Sequence, residues 1–182
     1  MGSSVKILPH YTYEDLKGWQ DQWELIDGFP YAMSPAPVPM HQFIATNLVA
    51  EFRESLKHAG CSDCKATIYL DYKVSDDTIL QPDVLIVCGK IEGKFLDFAP
   101  ALVVEILSPA TALKDRNNKY AIYEKQLIPY YLIIDPDKKI VEIYKLNSEN
   151  KYIPELFDPS IPYTFILKDG CSIEVPLSNI WS

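Results

Sequence analysis

The chain has 182 residues, of which 48% are apolar and 12% aromatic, and it carries a formal net charge of −8. That length can bury a real core in one domain, and the composition argues against disorder. The acidic balance counts against tight, non-specific DNA binding; it counts less against a nuclease, because acids gathered at a metal site do not repel phosphate once the metal is bound.

No apolar run approaches the roughly 20 residues that a membrane helix needs. The start, Met1-Gly2-Ser3-Ser4-Val5-Lys6, lacks the apolar centre of a signal peptide, so a cytoplasmic location is expected. Four cysteines, unevenly placed, are too few for a disulfide scaffold in a chain of this size.

Thr12 reads as the N-cap of a short helix, with Asp15 as its capping-box partner and Gly18 as its stop. Residues 23–26 and 29–33 flank Asp27-Gly28, a strong hairpin signal. Pro30 cannot donate to a ladder, so the second strand lies at an edge or begins late. Pro35, Pro37 and Pro39 predict an extended connection.

The spacing of Met40, Ile44, Leu48, Phe52 and Leu56 predicts a helix over 40–59, its stripe widened by Phe43, Ala45 and Val49. Gly60 stops it. Residues 67–74 alternate as a half-buried strand, with Ile68, Leu70, Tyr72 and Val74 on one face. Asp76-Asp77 makes a turn. Runs 83–88 and 101–107 are continuously apolar, as expected of strands covered on both faces. Residues 89–98 between them read as a loop with room for a short helix.

Residues 111–127 predict a second helix with Leu113, Tyr120, Tyr123 and Leu127 facing inward, ended by Pro129. Residues 130–134 are a strand, 135–138 a turn and 140–144 the return strand. The remainder is β-rich: 152–154, 163–167, an Asp169-Gly170 turn and 171–175. This order predicts a mixed α/β fold in which a central sheet is flanked by helices and carries extra hairpins at both ends. It is expected to form one domain, with a core of about 11–146 and a β-rich extension of about 147–182.

Two apolar runs each hold an acid. Asp83 opens one, where a plain reading is a turn-capping acid. Glu105 interrupts Leu102-Val103-Val104-Glu105-Ile106-Leu107, where an unpaired charge is costly. Its plain reading is a salt bridge to a buried Arg or Lys. If the two strands are neighbours, both carboxylates reach one end of the sheet. Two carboxylates plus waters suit Mg²⁺, with Mn²⁺ as a substitute, and a bound metal activates water against a phosphodiester.

The residues that carry these signals resemble a known family. They are Trp23-Glu24-Leu25-Ile26-Asp27-Gly28, Met33-Ser34-Pro35, His41, Pro82-Asp83-Val84, Val103 to Pro109, Asp115 with Lys119, and Tyr130 to Pro136. The pattern is similar to that of the Uma family of restriction-endonuclease-like proteins, placed in the PD-(D/E)XK nuclease superfamily. It covers roughly residues 11–180. The resemblance implies a restriction-endonuclease-like core, a divalent metal at Asp83 and Glu105, Glu24 as an additional acid at the site, and DNA as substrate. Leu107 stands where the superfamily has its Lys. The resemblance implies Lys119 as the replacement, four residues from Asp115 on one helix face. The plain alternative for Lys119 is a solvated residue paired to Asp115, and Lys73 and Lys125 are weaker substitutes.

Other features read as bland. Cys61-Ser62-Asp63-Cys64 has zinc-knuckle spacing, but a tetrahedral site needs a second ligand pair, Cys88 lies in a buried strand and Cys171 is distant in sequence. His41 reads as a capping or packing residue. There is no Gly-rich phosphate loop and no nucleophile elbow. The expectation is a Mg²⁺-dependent endonuclease with Asp83, Glu105 and Glu24 at the metal and Lys119 beside the attacking water. The rival is a non-catalytic module of the same fold that binds nucleic acid or assembles. The resemblance and the exposed strand edges also suggest a homodimer.

Overall fold

The computed structural model describes residues 8–33 and 38–182. It is a mixed α/β fold around a six-stranded sheet. Three acids of the predicted site are brought to that sheet by different parts of the chain.

The first helix, α1 (Tyr13–Leu16), opens with Asp15 Oδ2 accepting from the Thr12 amide, the return bond of a capping box, and also from the Thr12 hydroxyl. The hairpin follows: β1 (Trp23–Ile26) and β2 (Phe29–Ala32) pair antiparallel, with Glu24 opposite Tyr31. Asp27 and Gly28 both take positive φ, the geometry a two-residue type I′ turn demands. β2, with its Pro30, is an edge strand. The extended connection expected through Pro35 and Pro37 falls outside the described residues, and Pro39, expected in it, is instead the first residue of the next helix, where its missing N–H costs nothing.

The long helix α2 (Pro39–His58) buries Ile44, Ala45, Leu48, Phe52 and Leu56, and Gly60 follows with φ of 70°. Two expected members of its inner stripe are not there. Phe43 is 61% exposed and Met40 48% exposed, because the buried face is centred on His41, Ile44 and Leu48.

The expected single strand over 67–74 is broken. β3 (Cys64–Ile68) ends where Tyr69 turns with φ of 51°, and β4 (Tyr72–Lys73) belongs to a different sheet. Ile68 therefore lies on the surface while Tyr72 is buried. A short strand absent from the sequence reading, β5 (Ile79–Leu80), pairs with both β4 and β1, giving the order β2-β1-β5-β4.

The main sheet is built on β6 (Val84–Cys88) and β7 (Leu102–Ile106), every residue of which is buried. The segment between them is loop, without the short helix allowed for. β8 (Tyr130–Asp135), β9 (Ile140–Leu146) and β10 (Tyr152–Glu155) complete the order β10-β9-β8-β7-β6-β3. Only β7 and β8 pair in parallel, so the sheet is mixed. Residues 112–125, which cross between them, form one continuous helical run: α3 (Ala112–Lys114), a π-helical turn (Asp115–Lys119) and α4 (Tyr120–Lys125). The apolar stripe expected here fails at both ends, since Leu113 is 79% and Leu127 50% exposed. Tyr123 is buried as expected, and Asp115 and Lys119 are buried in place of the two leucines.

Alternation along the strands sends Val84, Ile86, Val104 and Leu132 to one face and Leu85, Val103, Tyr131 and Ile133 to the other. The first face packs on α2 and on the hairpin of β11 (Tyr163–Ile166) and β12 (Ser172–Val175), through Phe52, Phe165, Ile173 and Val175. The second packs on Tyr123 and Tyr152. A final 3₁₀ turn, Leu177–Trp181, closes the first core with Leu177 and Ile180.

The two phenylalanines of α2 test this placement. Phe52→Ala should cost about 3–5 kcal/mol of unfolding free energy. Phe43→Ala should change it by less than about 0.5 kcal/mol. Urea titration of both variants checks this, and equal losses would refute the assigned helix face.

Candidate active site

β6 and β7 are neighbours, with Val84 opposite Val104. One step along this antiparallel register sets Asp83 opposite Glu105. Asp83 immediately precedes β6 and Glu105 lies inside β7, with 9% and 2% of their surfaces exposed. Asp83 Oδ2 accepts from the Ile106 amide at 2.7 Å, which ties the two strands together at this point. His41, on the inner face of the first turn of α2, brings Nε2 to 3.1 Å of the same oxygen.

Glu24 arrives from β1. Its Oε1 accepts from the Gln81 amide at 2.8 Å and from Lys119 Nζ at 2.8 Å, and its Oε2 pairs with Lys114. The structure thus brings Glu24 to the site with both oxygens occupied by cations or an amide. Here it is the counter-ion of the two lysines.

Lys119 is the hub. Its Nζ lies 2.9 Å from Glu105 Oε1, 2.8 Å from Glu24 Oε1 and 3.7 Å from Asp115 Oδ1. It is 2% exposed, so the reading of it as a solvated helix residue fails. The alternative reading of Glu105, a salt bridge to a buried lysine, describes the same contact. The Tyr123 hydroxyl donates to Glu105 Oε1 at 2.7 Å, and the Tyr131 hydroxyl donates to the Asp115 carbonyl at 2.9 Å. The weaker substitutes are elsewhere: Lys73 pairs with Asp76 at 2.6 Å, and Lys125 is on the surface.

The sequence reading missed Lys114 and Tyr123 as site residues. Tyr123 was legible, since it lies four residues after Lys119 on the same helix face. Lys114 was not, because only the three-dimensional approach of β1 to the helix brings it to Glu24.

Charge balance dominates the chemistry. Glu24, Asp83, Glu105 and Asp115 face only Lys114 and Lys119, with His41 at the edge. Burial, then the neighbouring charges of Asp115, Asp83 and Glu24, push the Glu105 carboxyl well above its ordinary range despite Lys119. Burial likewise raises Asp115. For Lys119, burial alone would favour the neutral amine, but Glu105, Glu24 and Asp115 together hold it protonated well above the usual lysine range. Glu24 is lowered because Lys119 and Lys114 outweigh its burial. His41 is raised: burial opposes its charge, and Asp83 more than compensates.

Among the described residues, no three His, Cys, Asp or Glu side chains are arranged as they stand to grip a metal ion. The donor set nevertheless suits a hard cation, because Mg²⁺ needs only one or two carboxylates and keeps several waters. A second observation agrees. Among the described residues, the buried side-chain atoms without a hydrogen-bond partner are His41 Nδ1, Gln81 Oε1 and Asp115 Oδ2, all in or beside this cluster. Buried polar atoms are ordinarily satisfied, so these three leave hydrogen-bonding or ligating capacity that a cation or water could use. The residues fit a divalent metal at Asp83 and Glu105, where negative charge is in excess.

The family described as "Uma2: Putative restriction endonuclease" matches residues 11–171. A relative from Synechocystis sp., described as "Uncharacterized protein slr1290", is 28% identical over 157 residues, covering 80% of each chain. A crystal structure of "a putative nuclease belonging to DUF820" from Anabaena variabilis superposes with a TM-score of 0.74, at 18% identity, over 93% of this chain and 97% of the other. At that identity the likeness concerns the fold. Among the described residues, no helix is long and apolar enough to cross a membrane.

Removing the hub should be expensive. Lys119→Met leaves Glu24 and Glu105 buried without their shared cation, and should cost about 3–5 kcal/mol. Adding Glu105→Gln should recover part of that loss, because one stranded charge disappears. A double-mutant cycle by urea unfolding measures the coupling. Additive losses would show that Lys119 and Glu105 do not act as a pair.

Proposed function

This chain belongs to the Uma2 family, and from that premise we propose that it is a divalent-metal-dependent endonuclease that hydrolyses phosphodiester bonds of DNA. One observation carries the reading. Asp83 lies just before β6, one register step beyond the Val84–Val104 pair and so across from Glu105 of β7, and Lys119 is 2.9 Å from Glu105. Two carboxylates and one ammonium, on rigid elements, are the parts that phosphodiester hydrolysis needs.

In this reading Asp83 and Glu105 hold Mg²⁺, or Mn²⁺ in its place. When bound, such an ion would lower the pKa of an attacking water and offset charge on the scissile phosphate. Lys119 is held protonated, so it serves as a hydrogen-bond donor and positive charge toward water and phosphate, and not as a general base. Glu24 fixes Lys119 and Lys114 in place. The Tyr123 hydroxyl fixes one oxygen of Glu105, and His41 with the Ile106 amide fixes Asp83. The ammonium comes from the helical crossover, which stands in for the lysine absent at Leu107. Cytoplasmic DNA and a homodimer of this chain complete the proposal.

A second reading is favoured by the same contact: Lys119 is already neutralised by Glu24 and Glu105, as in a purely structural ion cluster. On that reading the protein is a non-catalytic module that binds nucleic acid or assembles.

Two measurements separate them. Plasmid DNA with Mg²⁺ or Mn²⁺ should be nicked or linearised, and Glu105→Gln should slow cleavage by about 10²–10³-fold, the usual loss for a group that acts on transition-state charge. Mn²⁺ at 100 times its Kd should add about 2.7 kcal/mol of stability, and Asp83→Ala should abolish that gain. Cleavage at equal rates by wild type and Glu105→Gln would sink the enzymatic reading. A Mn²⁺ gain without cleavage would favour the module.

A further inference from the structure

A second cluster lies away from the acids, where α2 ends. The four cysteines, expected to be too few and too uneven for a disulfide scaffold, are all paired: Cys61 is bonded to Cys171 and Cys64 to Cys88. All four line one cavity of about 720 Å³, together with Lys65, Lys90 and Lys168. The sequence reading left the Cys61-Ser62-Asp63-Cys64 pair without partners. The fold supplies them, from the end of β6 and from the turn before β12.

We propose that in the reduced protein these four cysteines form a tetrahedral zinc site. Three geometric facts support it. Cys61 and Cys64 are the ends of a tight turn, with the Cys64 amide donating to the Cys61 carbonyl at 3.3 Å, which keeps their Cα atoms within about 7 Å. Cys88 is directly across the ladder from Cys64, at a Cα separation of 4.0 Å. Cys171 is 5.7 Å from Cys61 between Cα atoms, at the end of its own turn, its amide donating to the Lys168 carbonyl at 3.2 Å. Each cysteine of the C-x-x-C thus reaches a different partner, and the four thiols come from three separate segments onto one cavity. Zinc sits about 2.3 Å from each sulfur, so the four need to approach one point and not each other's bonding distance.

Three lysines against two aspartates, Asp63 and Asp169, leave the lining with a small positive excess. Four thiolates around Zn²⁺ carry a net charge of −2, and cations beside thiols favour the thiolate. The chemistry balances: each disulfide accepts two electrons and two protons from a dithiol, which becomes a disulfide itself. The four thiols formed release their protons as zinc binds. Joined in S–S bonds, the sulfurs cannot ligate, so oxidation and zinc loading exclude each other. The site would clamp the end of α2 and the central sheet to the β11–β12 hairpin.

Cobalt tests it, because thiolate-bound tetrahedral Co²⁺ absorbs strongly. The full chain, reduced with a dithiol and desalted without oxygen, should bind about one Co²⁺ with thiolate charge-transfer absorption, and Zn²⁺ should bleach that band. The untreated, oxidised chain should show none. Cys88→Ser and Cys171→Ser should each weaken cobalt binding at least about 100-fold with helix content unchanged by circular dichroism. The wild-type titration decides even if a variant fails to fold. No charge-transfer band after reduction would overturn the proposal. So would equal cobalt binding by the oxidised chain, or disulfides that a dithiol opens only when the protein is unfolded.

Discussion

Lys119 Nζ lies within 2.9 Å of both Glu24 and Glu105, in a place almost closed to water. An ammonium buried this deeply is tolerated only if its partners are held in good geometry, since desolvation otherwise exceeds the attraction. Each partner comes from a different part of the chain. Glu24 needs the Asp27-Gly28 hairpin, Glu105 needs β7 at the centre of the sheet, and Lys119 needs the helical crossover to β8. The ion cluster therefore couples both sheets and the crossover, and none of the three can shift without stranding a charge.

The cluster is also over-supplied with acids. In an ordinary structural triad the charges would close; here Glu105 and Asp115 are pushed up by burial and by one another. Something positive, a proton or a metal, is needed to settle them. The three orphaned polar atoms beside them point the same way.

The parts of the fold legible in the sequence were those set by local rules. Asp27-Gly28, the Gly60 stop and the continuous apolar runs of β6 and β7 each follow from residue type and spacing. What failed had a tertiary cause. Tyr69 takes a left-handed backbone conformation that its residue type does not announce, and so one expected strand became two, in different sheets. Leu113 and Leu127 were assigned inward because apolar residues usually are, whereas the helix gives its inner face to Asp115, Lys119 and Tyr123 to reach Glu105. Asp83 and Glu105 stood out because acids in apolar runs are rare. Lys114 could not stand out, because a lysine on a helix is ordinary until β1 arrives. The cysteine partners were hidden for the same reason, with 110 residues separating Cys61 from Cys171.

The π-helical turn over Asp115–Lys119 has a consequence for how the chain can change length. Such a turn holds one residue more than the α-helical path would use, and single π turns are frequent at functional sites. Each residue of an α-helix advances about 100° around the axis. Losing one residue between Thr111 and Lys119 would let the segment relax to regular α-helix, and would turn Lys119 and Tyr123 together by about 100° relative to the residues before the π turn, away from their present alignment with Glu105. Loops elsewhere on the surface can lengthen or shorten freely. This crossover cannot, because its residue count is what aims the ammonium.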